Sequence, residues 1–178
     1  MTRLLIEARP GAGKTTAIGR LAELLRAAGI AVSGFLTREL RESGRRVGFE
    51  IETFAGERGL LAHVALEATP RVGRYRVDVE TFERIALPAL DPPEAGAVLI
   101  DELGKMELLS ERFAESVLAL LERPVPVVAT VHTARHPFTD ALKRRPDVST
   151  IRLTAANRDG LPEELAERLA GSRRSVPG

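Results

Sequence analysis

Cysteine and tryptophan are absent from the 178 residues, tyrosine occurs once, and lysine only at Lys14, Lys105 and Lys143. Zero cysteines exclude disulfides, iron–sulfur clusters and thiolate zinc sites, and fit a cytoplasmic setting. Aromatic residues make up 4% of the chain, so the stacking platforms of single-strand nucleic-acid binders have little to be built from. A dominant charge is missing too. The net charge is +1, which leaves no bulk electrostatic footprint for nucleic acid. No apolar run approaches the ~18 residues needed to cross a bilayer. The first glycine-rich motif begins within the first ten residues, which leaves no charged-then-apolar leader ahead of it.

What the chain has is alternation. Short aliphatic and β-branched runs alternate with segments of helical period, which argues an α/β sheet in a single domain over 1–171. The pattern predicts a strand at about 3–7, a helix from Lys14 to Ala28 with Ile18, Leu21, Leu25 and Ala28 on one face, and a strand at about 31–37. Residues 38–77 read as a β-rich insertion, opened by a hairpin that turns at Ser43-Gly44. The α/β rhythm then resumes. A helix is expected from Val79 to Leu90, a strand at 97–101, and a helix at 110–122 burying Phe113, Val117, Leu120 and Leu121. "PVPVVATV" is a further strand, entered through Pro124 and Pro126. A short helix over 138–144, the strand "VSTIRLT" and a helix at 161–170 follow, with 172–178 as a flexible tail.

Two stretches carry chemistry. "EARPGAGKTT", residues 7–16, follows a strand and opens a helix. It fits the phosphate-binding G-x-x-x-x-G-K-[ST] loop except at its first position, Ala8. Gly11 and Gly13 let successive N–H groups turn inward around phosphates. The Lys14 ammonium reaches the β- and γ-phosphates, the Thr15 hydroxyl ligates Mg²⁺, and the helix start directs its positive end at the anion. Ala8 sits at a strand exit, where φ is normally negative, so its methyl group is tolerated.

"AVLIDELGKMELL" is the second stretch. Four apolar residues ending in an acid describe a buried parallel strand that delivers Asp101 to the carboxyl edge of the sheet. Asp101 holds Mg²⁺ from the second side, and Glu102 is the favoured general base for an attacking water. The adjacent Asp-Glu pair also points to the P-loop class that activates water with a carboxylate on this strand. In that class one further strand lies between the phosphate-loop strand and the acidic strand. "PVPVVATV" is the candidate, bringing Thr130 and His132 near the γ-phosphate. Arg38, Arg41, Arg45 and Arg46 belong to the hairpin, as an internal arginine finger or as a solvated basic edge. Lys105 and Glu107 either position phosphate or form a local ion pair. Asn157 and Arg158 begin the loop after the last strand, where Arg158 stacking on a base and plain helix capping are equal readings.

The loop "ARPGAGKTT", the hairpin "GFLTRELRESGRRVGFEI", and the stretches "RVGRYRVDVETFERIALPAL", "IDELGKMELLS" and "LTAANRDGLPEEL" together resemble the cancer-related, or thermophile-type, nucleoside-triphosphatases. This is a small P-loop family, and the resemblance covers nearly the whole chain. It implies a three-layer P-loop NTPase fold, a mostly parallel sheet with an antiparallel hairpin insertion. It also implies Mg²⁺-dependent hydrolysis of ATP, GTP and other triphosphates to diphosphate and phosphate. The nucleotide contacts implied by the resemblance are Ala8, Arg9, Pro10, Gly11, Ala12, Gly13, Lys14 and Thr15, then Ala97, Val98, Leu99, Ile100, Asp101, Glu102, Leu103 and Gly104; the reading of the residues adds Thr16, Asn157 and Arg158. Catalysis falls to Glu102 and Lys14, and the metal to Thr15 and Asp101. The expected protein is a cytoplasmic monomer that binds neither membrane nor nucleic acid. A kinase that closes the insertion over an acceptor is the alternative, and a nucleotide-gated binding module is a third reading. No Asn-Lys-x-Asp stretch is present to read guanine, which argues against a dedicated GTPase.

Overall fold

The computed structural model describes residues 2–67 and 70–174, without the side chains of 172–174. A nine-stranded sheet forms its middle layer. In chain order the elements are β1 (Arg3–Ala8), α1 (Lys14–Ala27), β2 (Val32–Glu42), β3 (Arg45–Thr53), β4 (Arg58–His63), β5 (Arg71–Val72), β6 (Tyr75–Val77), α2 (Val79–Ala89), β7 (Ala97–Leu103), α3 (Glu111–Glu122), β8 (Val127–His132), α4 (Pro137–Lys143), β9 (Ser149–Arg152) and α5 (Leu161–Arg174). The strand order is β5-β6-β4-β3-β2-β7-β8-β1-β9. Strands β2, β7, β8, β1 and β9 run parallel, and β3, β4, β6 and β5 extend the sheet antiparallel.

Period-2 alternation buries the central strands on both faces, as parallel strands between helical layers require. Leu4, Ile6 and Ala8 of β1, Leu99 of β7 and Val128 of β8 join Ile18, Leu21 and Leu25 of α1 and Leu161, Leu165 and Leu169 of α5 in one core. Leu5, Val98, Ile100, Ala129 and Val131 pack into the other, with Phe82 and Ile85 of α2 and Phe113, Val117, Leu120 and Leu121 of α3. The scarce aromatics concentrate there. Phe35, Phe82 and Phe113 meet with ring centroids 5.0–5.8 Å apart, two of the three pairs edge-to-face. No helix of the described residues is long and apolar enough to cross a membrane.

The expected α/β arrangement is present, with three local differences. The strand at 31–37 and the first strand of the hairpin are one strand, β2. It pairs parallel with β7 through 32–35, then antiparallel with β3 from Phe35 to Glu42. The turn beyond it is the expected one, with Ser43 and Gly44 at φ 47° and 77°, the two positive values a tight hairpin needs. Ala28 is exposed rather than on the buried face of α1. It is the C-cap, and Gly29 and Ile30 donate back to Arg26 and Leu25 at 2.9 Å each to close the helix. Finally, α5 runs on through Arg174, past the expected end at 170. Of the tail expected over 172–178, residues 172–174 are helical and 175–178 lie outside the described residues.

Candidate active site

The parallel order puts β8 between β1 and β7, as the acidic pair implied. Ala8 lies opposite His132, and Ile100 opposite Ala129, across the two ladders. The carboxyl ends of all three strands therefore open on one edge. Ala8 is buried at the exit of β1. Among the described non-glycine residues only Ser43 and Ala95 have positive φ, so Ala8 keeps the ordinary strand-exit backbone and its methyl group joins the core. The strain of the loop falls on Gly11 and Gly13, at φ 73° and 99°. Gly13 is the N-cap of α1 and offers no side chain to its free N–H groups, and no acidic residue sits in the first turn. The positive end of α1 is left open to an external anion.

Alternation along β7 and β8 aims the polar residues. Leu99 and Val128 face the α1 layer, so Asp101 and Thr130, two residues on, face it as well. Thr130 Oγ1 donates to Asp101 Oδ1 at 2.6 Å, and Thr15 Oγ1 donates to Asp101 Oδ2. Thr130, expected near the γ-phosphate, braces the Asp101 carboxylate. Burial pushes the Asp101 carboxyl above its ordinary value and Glu102 adds to the rise, while the Thr130 and Thr15 hydroxyls and Lys14 oppose it.

Glu102 also faces the phosphate loop. Its Oε2 lies 3.1 Å from Lys14 Nζ and, although buried, accepts no other interaction. The peptide between Asp101 and Glu102 is cis, and the β7–β8 register shifts between Ile100 and Leu103. Two cavities meet at Glu102. A cleft of about 720 Å³ runs between the loop residues Gly11 to Thr16 and the hairpin, with Asp101, Glu102 and His132 at its base. A second cavity of about 290 Å³ lies beyond Glu102, lined by Phe49, Val72, Leu103 and Met106 with Glu107, His132 and His136.

The other expected residues divide clearly. Pro10, Gly11, Gly13, Lys14, Thr15 and Thr16 line the large cleft. Arg9, Ala12 and Arg158 line a neighbouring depression beside Ala8, so Arg158 does reach the loop. The Asn157 side chain is engaged elsewhere, accepting from the Thr154 N–H at 2.8 Å and donating to the Arg152 carbonyl at 2.9 Å. Ala97, Val98, Leu99 and Ile100 are at most 1% exposed inside the sheet and present no surface to solvent. Leu103 is also core, and Gly104 lines the second cavity. Three of the hairpin arginines are paired: Arg38 with Glu52 at 2.6 Å, Arg41 with Glu39 at 2.6 Å, and Arg46 with Glu39 at 2.7 Å and the Tyr75 hydroxyl at 2.9 Å.

One residue exceeds its sequence reading. Glu107 is 4% exposed at the start of a 3-10 turn, Glu107–Leu109, directly behind the acidic strand. Burial, then the nearby Glu102, push its carboxyl up to about 8. The signal in the sequence was its setting, a single acid inside the apolar run "MELL".

The comparisons agree with this geometry. A family model described as NTPase matches residues 3–166. "Nucleoside-triphosphatase THEP1" of Thermotoga sp. (strain RQ2) is 42% identical over 173 residues, 96% of this chain and 97% of that one. The human "Cancer-related nucleoside-triphosphatase" is 37% identical over 180 residues, 93% and 95% of the two chains. The crystal structure of THEP1 from Aquifex aeolicus superposes with a TM-score of 0.83 at 34% identity, covering 95% of this chain and 99% of its own. With its phosphate loop facing an acidic strand end across one intervening strand, the chain belongs to the NTPase family.

Proposed function

We propose that the protein is a nucleoside-triphosphate phosphohydrolase that turns NTP and water into NDP and phosphate, using Mg²⁺ and tolerating several bases. The observation that carries this reading is the convergence of Lys14 and Thr15 with Glu102 and Asp101. The ammonium lies 3.1 Å from one carboxylate, and the hydroxyl is bonded to the other. The curated relatives named nucleoside-triphosphatase, in bacteria and in man, support the same activity.

The residues present fit a magnesium ion. Asp101 and Thr15 are a hard-oxygen pair, and among the described residues no group of three or more His, Cys, Asp or Glu side chains is arranged to hold a metal ion by itself. A cation here would draw its remaining ligands from phosphate and water, the usual manner of Mg²⁺ binding. Thr15 and Asp101 would hold it, and when bound it offsets charge on the β- and γ-phosphate oxygens. The chain supplies the rest. N–H groups at Gly11 and Gly13 and the start of α1 bind the phosphates, and Lys14 stabilises charge that builds on the γ-phosphoryl oxygens. Glu102 orients the attacking water and takes its proton. Arg158, which lines the depression beside the loop, would stack on a base without selecting it.

The test is phosphate release from ATP, GTP, CTP and UTP, with wild type active on several and Lys14→Ala inactive on all. Equal release by Lys14→Ala would refute the assignment of this loop.

A further inference from the structure

Gly104 is the residue both glutamates crowd. A methyl group built there would lie 2.7 Å from Glu107 Oε2 and 2.9 Å from Glu102 Oε1. Glu102 therefore has one carboxylate oxygen on the Lys14 ammonium and the other on the side of Glu107. Glu107 itself is fixed from below. The backbone N–H groups of Glu107 itself and of Gly104 lie by its carboxyl and partly oppose the rise that burial causes. The turn around it is closed by Leu108 N–H to Gly104 O at 3.0 Å and Ser110 N–H to Glu107 O at 3.1 Å.

Charge decides the form in which Glu107 can stay there. Asp101 is bonded to Thr15 and Thr130 and would face the cation. Glu102 is therefore the carboxylate that shares the Lys14 ammonium, and a second carboxylate buried beside it would repel it. The other charged or titratable groups facing this region are Lys105, His132, Arg135 and His136 around the second cavity. Glu83 of α2 lies behind, already bonded to Ser110 and Arg112. We propose that Glu107 is a positioning residue for the water-activating base: as an uncharged carboxylic acid beside Gly104, it holds the Glu102 carboxylate in place without adding a second negative charge beside it.

This inference rests on the reading of Glu102 as the base. That reading fails if Glu102→Gln hydrolyses NTP at the wild-type rate, whatever Glu107 does. The test of Glu107 is kcat and KM against pH for wild type, Glu107→Ala and Glu107→Gln. Wild-type kcat falls through about pH 8 as Glu107 ionises. Glu107→Ala lowers kcat on the order of tenfold to a hundredfold with little change in KM. Glu107→Gln, the uncharged isostere, rescues most of that loss and lacks the alkaline fall. Wild-type kcat in Glu107→Ala, or an alkaline limb in Glu107→Gln that superimposes on wild type, overturns the proposal. Infrared spectroscopy of the wild type gives an answer even if a variant does not fold. A protonated-carboxyl stretch at neutral pH that disappears on alkaline titration and is missing from Glu107→Gln supports the proposal, and its absence from the wild type at neutral pH overturns it.

Discussion

Lys14 Nζ, on the first residue of α1, lies 3.1 Å from Glu102 Oε2 at the end of β7. In the proposed function the same ammonium serves the γ-phosphate, so carboxylate and phosphate would compete for it. Glu102→Gln removes one competitor and one source of repulsion. The expected outcome is a kcat lowered by about 10²–10⁴ with triphosphate affinity kept or raised. Single-turnover hydrolysis and calorimetry measure the two separately.

Gly104→Ala probes the same carboxylate from its other side. The new methyl group meets side chains rather than backbone, Glu107 Oε2 at 2.7 Å and Glu102 Oε1 at 2.9 Å, and of the two the less buried Glu102 is the one that gives way. A drop in kcat of roughly tenfold or more is expected, with an unfolding transition close to wild type. Steady-state kinetics beside thermal melts check it.

Thr130→Val keeps the volume of a fully buried side chain but removes the hydroxyl that holds Asp101 Oδ1 at 2.6 Å. A buried carboxylate oxygen that loses its donor costs about 1–3 kcal/mol. The loosened Asp101 also holds a cation less well. Activity should need more Mg²⁺ for half-saturation, read from a magnesium titration at saturating ATP.

Much of this site was legible because its signals are local. A Gly-Lys-Thr after a strand and an Asp-Glu closing four apolar residues fix their own surroundings, and the intervening β8 followed from them. β2 was harder to read. At Leu36-Thr37-Arg38 the strand leaves the cover of the helices and its pattern turns polar, which looks like an end although the backbone continues. Glu107 was hidden for a related reason: residue type does not report burial, and only the fold shows that the 3-10 turn tucks this acid behind Glu102.

That burial makes stability depend on pH. The Glu107 carboxyl is raised from 4.5 to about 8 on folding. Between these values the folded state holds a proton that the unfolded state has lost. Its contribution is therefore complete below the lower value and disappears as pH rises through the upper one. The melting temperature should fall between about pH 5 and about pH 8, and less steeply in Glu107→Gln. Asp101 shifts in the same direction, so the difference between wild type and variant isolates Glu107.

The central claim is that the loop ammonium and the strand-end carboxylates grip one magnesium triphosphate between them, and a crystal structure with Mg²⁺ and a non-hydrolysable NTP analogue tests it most directly. The account predicts Lys14 on the β- and γ-phosphates, the metal on Thr15 with Asp101 behind it, and a water between Glu102 and the γ-phosphorus. Lys14 still paired with Glu102 while the triphosphate binds elsewhere, or a Glu102 carboxylate turned away from the γ-phosphate, would contradict it.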